Sequence, residues 1–350
     1  AVSSVRPGAA AWREGMRTGD EIVGVGGIDD PIFTDLQRAV TLGDAGTGVE
    51  FRVERPADGV IRTLNLVPDT DLGIPSIGVT SPYSTTIPSS LPADARDQMP
   101  GALATADPPL EAGDTIVAVN GTAVASYAEI VAALSAVPSE AAVLTVSRKA
   151  SQAEGDVAET TLEVRVPPLP RRVLGMAMTP GAVRAVQAES PAAAAGIEPG
   201  DMIAKIDGED AGDPLSLEDR LRTKADTEVT LTVYRGGDEA AAEEIVLAPR
   251  MVTWLEEARW PSSPVAISSL GVAIDVLPVV ASVEAEGVAA AAGLVPGDRV
   301  VRAAFTSADE PAEDGIEISG ENHNWPYVEA LLQVVRLDTQ LTLGVEGTDG

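Results

Sequence analysis

The residues of this chain whose types could do chemistry are four Gly-Asp pairs that recur in one context, one histidine, the acidic cluster around Asp207 and the Ser190-Pro191 step. The pairs are Gly19-Asp20, Gly113-Asp114, Gly200-Asp201 and Gly297-Asp298, with spacings of 94, 87 and 97 residues. A Gly-Asp step can cradle a phosphate or offer a carboxylate to a metal. Recurrence in one context instead marks a structural turn, its Asp accepting from nearby backbone amides. Asp207-Gly208-Glu209-Asp210 with Asp213 is acidic, but it lacks the alternating ligand spacing of a calcium loop. His323 is the only histidine. Zinc hydrolysis needs two on one helical face plus a carboxylate, so zinc catalysis does not reside in these residues. Between Asn322 and Asn324, His323 reads as a solvated loop residue. Ser190-Pro191 reads as a helix cap, since no histidine or lysine follows it at a repeating distance to activate a nucleophile. With no cysteine there is neither thiol chemistry nor a disulfide. The chain is expected to carry no catalytic residue.

Composition narrows the partners. A formal net charge of −30 over 350 residues repels phosphate backbones and anionic membrane surfaces, so nucleic acid is not an expected partner. Lysine occurs three times, at Lys149, Lys205 and Lys224, and Arg supplies the other basic residues. An acidic, Ala- and Arg-rich, Lys-poor composition fits a GC-rich bacterial genome. The longest apolar stretch, around Leu270–Val283, is broken by Asp275 and Pro278. It falls short of the roughly 20 apolar residues a membrane helix needs.

The elements around the Gly-Asp turns repeat as well. Ser190-Pro191 and four alanines start a short helix, because Pro suits a first helical turn. Gly196 and Gly293 end such helices, where the backbone turns left-handed. Pro199-Gly200 and Pro296-Gly297 turn again, and alternation at Ile203 and Ile206 predicts a strand closed by Asp207-Gly208. A longer helix follows in each repeat, marked by Phe33, Leu36 and Val40, by Tyr127, Ile130, Val131 and Leu134, or by Leu217 and Leu221. A strand pair closes the unit, as in Val229, Leu231 and Val233 with Ile245–Leu247. The fold class is α+β: four small, partly open β-barrels, each with two helices.

This order, with its Ala-Gly-apolar-x-x-Gly-Asp signature, resembles the PDZ domains of bacterial proteases, in four tandem copies over nearly the whole chain. The resemblance implies modules at 1–69, 70–170 and 171–250, a linker at 251–263, and a divergent module at 264–350. It also implies that a peptide adds as a strand in a groove beside the longer helix, its carboxylate on the amides of an apolar-Gly-apolar loop. The matching loops are Leu174-Gly175-Met176 in the third module, Leu270-Gly271-Val272 in the fourth, and Leu72-Gly73-Ile74 or Ile77-Gly78-Val79 in the second. Each is expected to face the helix of its own module: Leu217 and Leu221 in the third, Val328 and Leu332 in the fourth, Tyr127 and Val131 in the second.

The first module starts without such a loop and the fourth ends without a returning strand, so the chain reads as a piece of a longer one. The junctions Pro68–Gly73 and Leu169–Gly175 are similar to those in the periplasmic PDZ inserts of site-2-type intramembrane zinc metalloproteases. That resemblance implies a membrane-associated array on the extracytoplasmic face, with zinc only in the membrane domain of the parent chain. Its partners would be peptide segments or C-termini of envelope proteins, recognised or excluded. The PDZ region of a trypsin-like or C-terminal-processing protease and a non-enzymatic scaffold are the rival readings. Trp254 and Trp260, flanking Leu255–Arg259, are expected to strap neighbouring modules together, with Trp12 partly buried.

Overall fold

The computed structural model describes the chain except residues 44–46, 71–72, 82, 89–104, 137–139, 152–156, 170, 255, 257–259, 307–314, 336–338 and 348–350. Leu72 and the segment Leu255 with Glu257–Arg259 therefore lie outside the described residues.

The architecture is mixed α/β, strands predominating in open sheets with a few short helices. In the first unit, β1 (Ser4–Val5) leads to α1 (Ala10–Arg13), β2 (Glu21–Val25), β3 (Ile28–Asp29), α2 (Phe33–Leu42), β4 (Val49–Arg55) and β5 (Val60–Leu66). Next come β6 (Val79–Thr80), β7 (Thr115–Val119), β8 (Thr122–Ala123), α3 (Tyr127–Ser135), β9 (Ala142–Ser151) and β10 (Val157–Val166). The third stretch holds β11 (Met176–Val186), α4 (Pro191–Ala194), β12 (Met202–Ile206), β13 (Glu209–Asp210), α5 (Leu217–Arg222), β14 (Val229–Tyr234) and β15 (Ala242–Leu247). The fourth holds β16 (Val265–Ile267), β17 (Val272–Val283), α6 (Val288–Ala291), β18 (Arg299–Thr306), β19 (Ile316–Glu317), α7 (Trp325–Val334) and β20 (Gln340–Glu346).

Three sheets share one strand order: β3-β2-β4-β5, β8-β7-β9-β10 and β13-β12-β14-β15. Alternation puts Phe51 and Val53, Leu144 and Val146, and Leu231 and Val233 into separate buried clusters. The Gly-Asp turns work alike in all four places. Each glycine is left-handed (φ 94°, 88°, 98° and 95°), which only Gly adopts without steric cost. Each aspartate is buried and accepts from the amide three residues back, at 2.9, 2.7, 3.0 and 2.9 Å. In three of them an arginine from the sheet completes the site: Arg55 on Asp20 at 2.8 Å, Arg148 on Asp114 at 2.7 Å, Arg235 on Asp201 at 2.6 Å. Burial opposes ionisation of Asp114 and Asp201, but arginine and backbone donors win and hold both carboxyls below the ordinary range.

The first strands of the expected modules pair with strands of other stretches. β11 and β17 pair antiparallel along their length, from Met176↔Val283 to Val186↔Val272. A hairpin closed within the 11 residues of β11 would leave arms of about four residues, short for a strand. Opened out, each strand pairs fully with the other. Pro180, lacking an amide donor, falls at a register shift, and Gly181 allows the close approach to Asp275 that a Cβ would block at 2.8 Å. Likewise β6 pairs with β1, Val79 opposite Val5.

Candidate functional site

This exchange decides which helix each apolar-Gly-apolar loop faces. At Ile77-Gly78, the Ala11 amide donates to the Ile77 carbonyl (3.0 Å) and the Arg6 amide to that of Gly78 (2.7 Å). At Leu270-Gly271 the donors are Ala192 (3.0 Å) and Gln187 (2.8 Å); at Leu174-Gly175 they are Ala289 and Glu284, both 2.8 Å. In every case the loop is pinned to the short helix of another stretch of chain. The glycine is required by contact: a Cβ at Gly78 would lie 2.3 Å from Ala9 Cβ, and one at Gly271 2.2 Å from Ser190 Cβ.

The expected pairing within each module is therefore corrected at all three loops. Ile77, with Val79 packed against the same core, joins Val40 and Leu36 of α2, not Tyr127 and Val131. Leu270 and Val272 bury with Leu217 and Leu221 of α5, not with Val328 and Leu332. Leu174 and Met176 pack with Trp325 and Val328 of α7, not with Leu217 and Leu221. Cis and exchanged pairings use the same residue types, so chain order alone cannot distinguish them. Tyr127 instead stacks edge-on against Tyr83, ring centroids 5.0 Å apart, and the neighbouring Ala128 approaches the Gly19 turn.

The three grooves so formed differ in what lies in them. Between α2 and the Ile77–Thr80 strand is an open cleft of about 560 Å³, lined by Phe33, Leu36, Gln37, Val40, Ile74, Pro75, Ile77 and Val79. None of the described segments lies in it. Phe33 and Ile74 are 40% and 69% exposed, so its mouth offers apolar surface to solvent. The Gly78 amide donates to Ser76 Oγ at 3.1 Å, and the Ile77 amide has no partner among the described residues.

Between α5 and β17 the groove is filled by β16, whose Val265, Ala266 and Ile267 lie opposite Ile274, Ala273 and Val272. The amides of Leu270 and Gly271 both donate to the Ile267 carbonyl, at 3.1 and 2.8 Å. Ile267 is fully buried in the cluster of Leu217 and Leu221. The turn that follows is held by carboxylates. Ser269 donates to Glu218 from amide and hydroxyl, both at 3.0 Å, and Ser268 Oγ donates to Glu256 at 2.5 Å.

Glu256 also accepts from Trp12 Nε1 (2.8 Å) and Trp254 Nε1 (3.0 Å). The Trp254 ring carries guanidinium groups of Arg17 and Arg250 at 4.4 and 5.2 Å. Burial pushes the Glu256 and Glu218 carboxyls up. Burial, then the neighbouring Arg250 and Arg55, pushes Arg17 down to about 10. Trp254 thus joins Arg17 near the start of the chain to Arg250, and Trp12 is fully buried rather than partly. The groove-filling strand was missed: three apolar residues against a presumed linker give no periodic signal.

The α7 groove is plugged from the side. Leu215, from the turn before α5, packs among Met178, Trp325 and Val328, and Asp213 accepts from the Met178 amide. Arg171 pairs with Glu329 at 3.1 Å and the Arg172 amide donates to Gln333 at 2.9 Å. A cavity of about 130 Å³ remains beside Leu174 and Trp325, and a separate cleft of about 630 Å³ runs along α7 against Leu215, Val265 and Ala266. His323, expected in a solvated loop, is half-buried in a left-handed turn (φ 47°). Among the described residues no three metal-capable side chains gather.

Residues 182–235 match the family described as PDZ domain. The match begins after Gly181, past the Leu174–Met176 loop, and ends at Arg235, the partner of Asp201. No curated protein matches the chain.

Proposed function

We propose that this chain is a non-catalytic peptide-binding array of four PDZ-like units, in which the cleft between α2 and Ile77–Thr80 receives outside peptides. The PDZ match at 182–235 supports a peptide-binding role for the chain. The observation that carries the cleft reading is its combination of parts: an apolar helix face, a strand edge, and the Ile77 and Gly78 amides at one end. An added strand bonds its main chain to the edge, apolar side chains enter the cleft, and a terminal carboxylate meets the amides. The volume lies within the usual range of ligand sites.

Isothermal titration of the full chain with peptides bearing free apolar C-termini tests this. One site is expected, and Leu36→Asp is expected to weaken it at least tenfold. Retention of full affinity in that variant would assign the site elsewhere.

The wider reading is that the array faces substrates of a membrane-bound zinc metalloprotease of the site-2 type, on the extracytoplasmic side. Zinc in that reading lies outside these residues, whose single histidine suits no zinc site. An HExxH on an apolar helix elsewhere in the parent sequence supports it; a parent without one leaves a scaffold. That two grooves are filled by the chain itself favours a second role, a bulky filter that keeps folded proteins from the membrane.

A further inference from the structure

We propose that Val265-Ala266-Ile267 is an internal ligand: it occupies the peptide site of the third unit and withdraws that site from outside peptides. The inference rests on reading the α2 cleft as a peptide site, and extends it to a groove that the chain has closed on itself.

Position is the first argument. β16 lies between α5 and the edge of β17 not used by β11, antiparallel to β17. Relative to its loop and helix, this is the place the open cleft holds beside α2. The end of the segment is the second. The Ile267 carbonyl takes the Leu270 and Gly271 amides, where a chain end would put a carboxylate oxygen. In the first unit the corresponding amides are those of Ile77, with no partner among the described residues, and Gly78, resting on Ser76 Oγ.

The third argument is that the joint does not need the segment. Both connections make the same bond before the loop: the Asp69 amide to the Ser76 carbonyl at 2.8 Å, and the Arg250 amide to that of Ser269 at 2.9 Å. The first then spans residues 70–75, whose described members line the groove without pairing to its strand, while the other spans 251–268 and fills it with Val265–Ile267. The extra length is also anchored, its Ser268-Ser269 turn by Glu256 and Glu218, and Glu256 by Trp12 of the first unit.

The test uses the full chain and a fluorescent octapeptide ending in Val-Ala-Ile with a free carboxylate. The unaltered chain is expected to bind one peptide, and Leu36→Asp to bind it at least tenfold more weakly. Adding Ile267→Gly to Leu36→Asp should restore one site, at least tenfold tighter than any residual binding, and photocrosslinking should place it on α5. A folded double variant that gains no binding overturns the proposal, as does α5 labelling in the Leu36→Asp chain alone.

Should the double variant not fold, hydrogen exchange on the unaltered chain decides. The Leu270 and Gly271 amides should exchange as slowly as those of β14; exchange as fast as at Ile77 overturns the seated ligand. The cleft reading fails separately. If Ile267→Gly alone exposes a site on α5 while peptide never labels α2, the internal ligand stands and the cleft does not.

Discussion

The connection from β5 to the Ile77 loop and that from β15 to the Leu270 loop start alike and end in opposite states. Each leaves its last strand through a proline, Pro68 or Pro249. Each makes the same bond before its loop and hands that loop to the short helix of another stretch. The helices beyond carry matching pairs, Leu36 and Val40 against Leu217 and Leu221. Yet Leu217 and Leu221 are 1% exposed, whereas Leu36 lines an open cleft. The difference lies in the connection. Its longer version returns as a third strand and drops one isoleucine between the leucines, a burial worth about 1.5–3 kcal/mol. A groove of this design is thus open or shut according to a loop, with helix and strand unchanged.

The largest expected effects test whether the joints are equivalent. Gly78→Ala and Gly271→Ala each force a Cβ into a neighbour's Cβ at a left-handed φ of 76° or 79°. Each should cost about 3–5 kcal/mol in urea unfolding, by clash together with backbone strain. Gly73→Ala, at φ 78° with nothing nearby, should cost only about 1–2 kcal/mol. If Gly271 tolerates alanine and Gly78 does not, the two loops are not held in the same way.

The next test separates the helix faces. Leu221→Ala removes a side chain from the middle of a filled core and should cost about 2–5 kcal/mol. Leu36→Ala, on the wall of an open cleft, should cost about 1 kcal/mol or less and act chiefly on peptide affinity. Equal losses in chemical denaturation would mean that the α2 cleft is closed in solution and the comparison collapses.

Local parts of this arrangement were legible in the sequence; the exchange was not. The Gly-Asp turns, the Ser190 cap, which accepts from the Ala193 amide, and the β14–β15 hairpin each follow from a few adjacent residues. Arg55, Arg148 and Arg235 recur in or just after the third strand of each sheet, but their aspartates lie more than 30 residues away in sequence. Only folding reveals that pairing. The loops posed a harder problem, because Val186 and Val283 are alike, as are Ala192 and Ala289 that bind the loop carbonyls, so trading partners changes no residue type there. At Pro180-Gly181 the strand runs straight through with a shift of register. The Val265–Ile267 segment was invisible for the opposite reason, being too short to show any period.

The smallest predicted effect exploits a chemical difference between the same two grooves. The α5 groove is pinned at Glu218 and Glu256; the helix position after Leu36 carries Gln37, and among the described residues no carboxylate lines the open cleft. Burial raises both glutamates, so their contribution to stability is fully present below the unfolded value of about 4.3 and is lost as pH rises through the raised folded values. Asp114 and Asp201 are depressed. Theirs is present above about 3.9 and lost as pH falls through their folded values. Lowering the pH from 7 should therefore raise the melting temperature by about 2–4 °C per kcal/mol gained, with a maximum between about pH 4 and 6, before the aspartates reverse it. Burial raises Asp213 and Glu329 beside α7 as well, so the shut groove supplies one share of the gain: Leu270 and Gly271 amides should become better protected over that interval while those of Ile77 and Gly78 do not. Glu218→Gln should lessen the rise, since a neutral side chain carries no burial penalty to relieve, while Glu256, Asp213 and Glu329 keep theirs. A slope unchanged by that substitution would move the titration out of the groove and leave the length of the connection as the sole difference between the two sites.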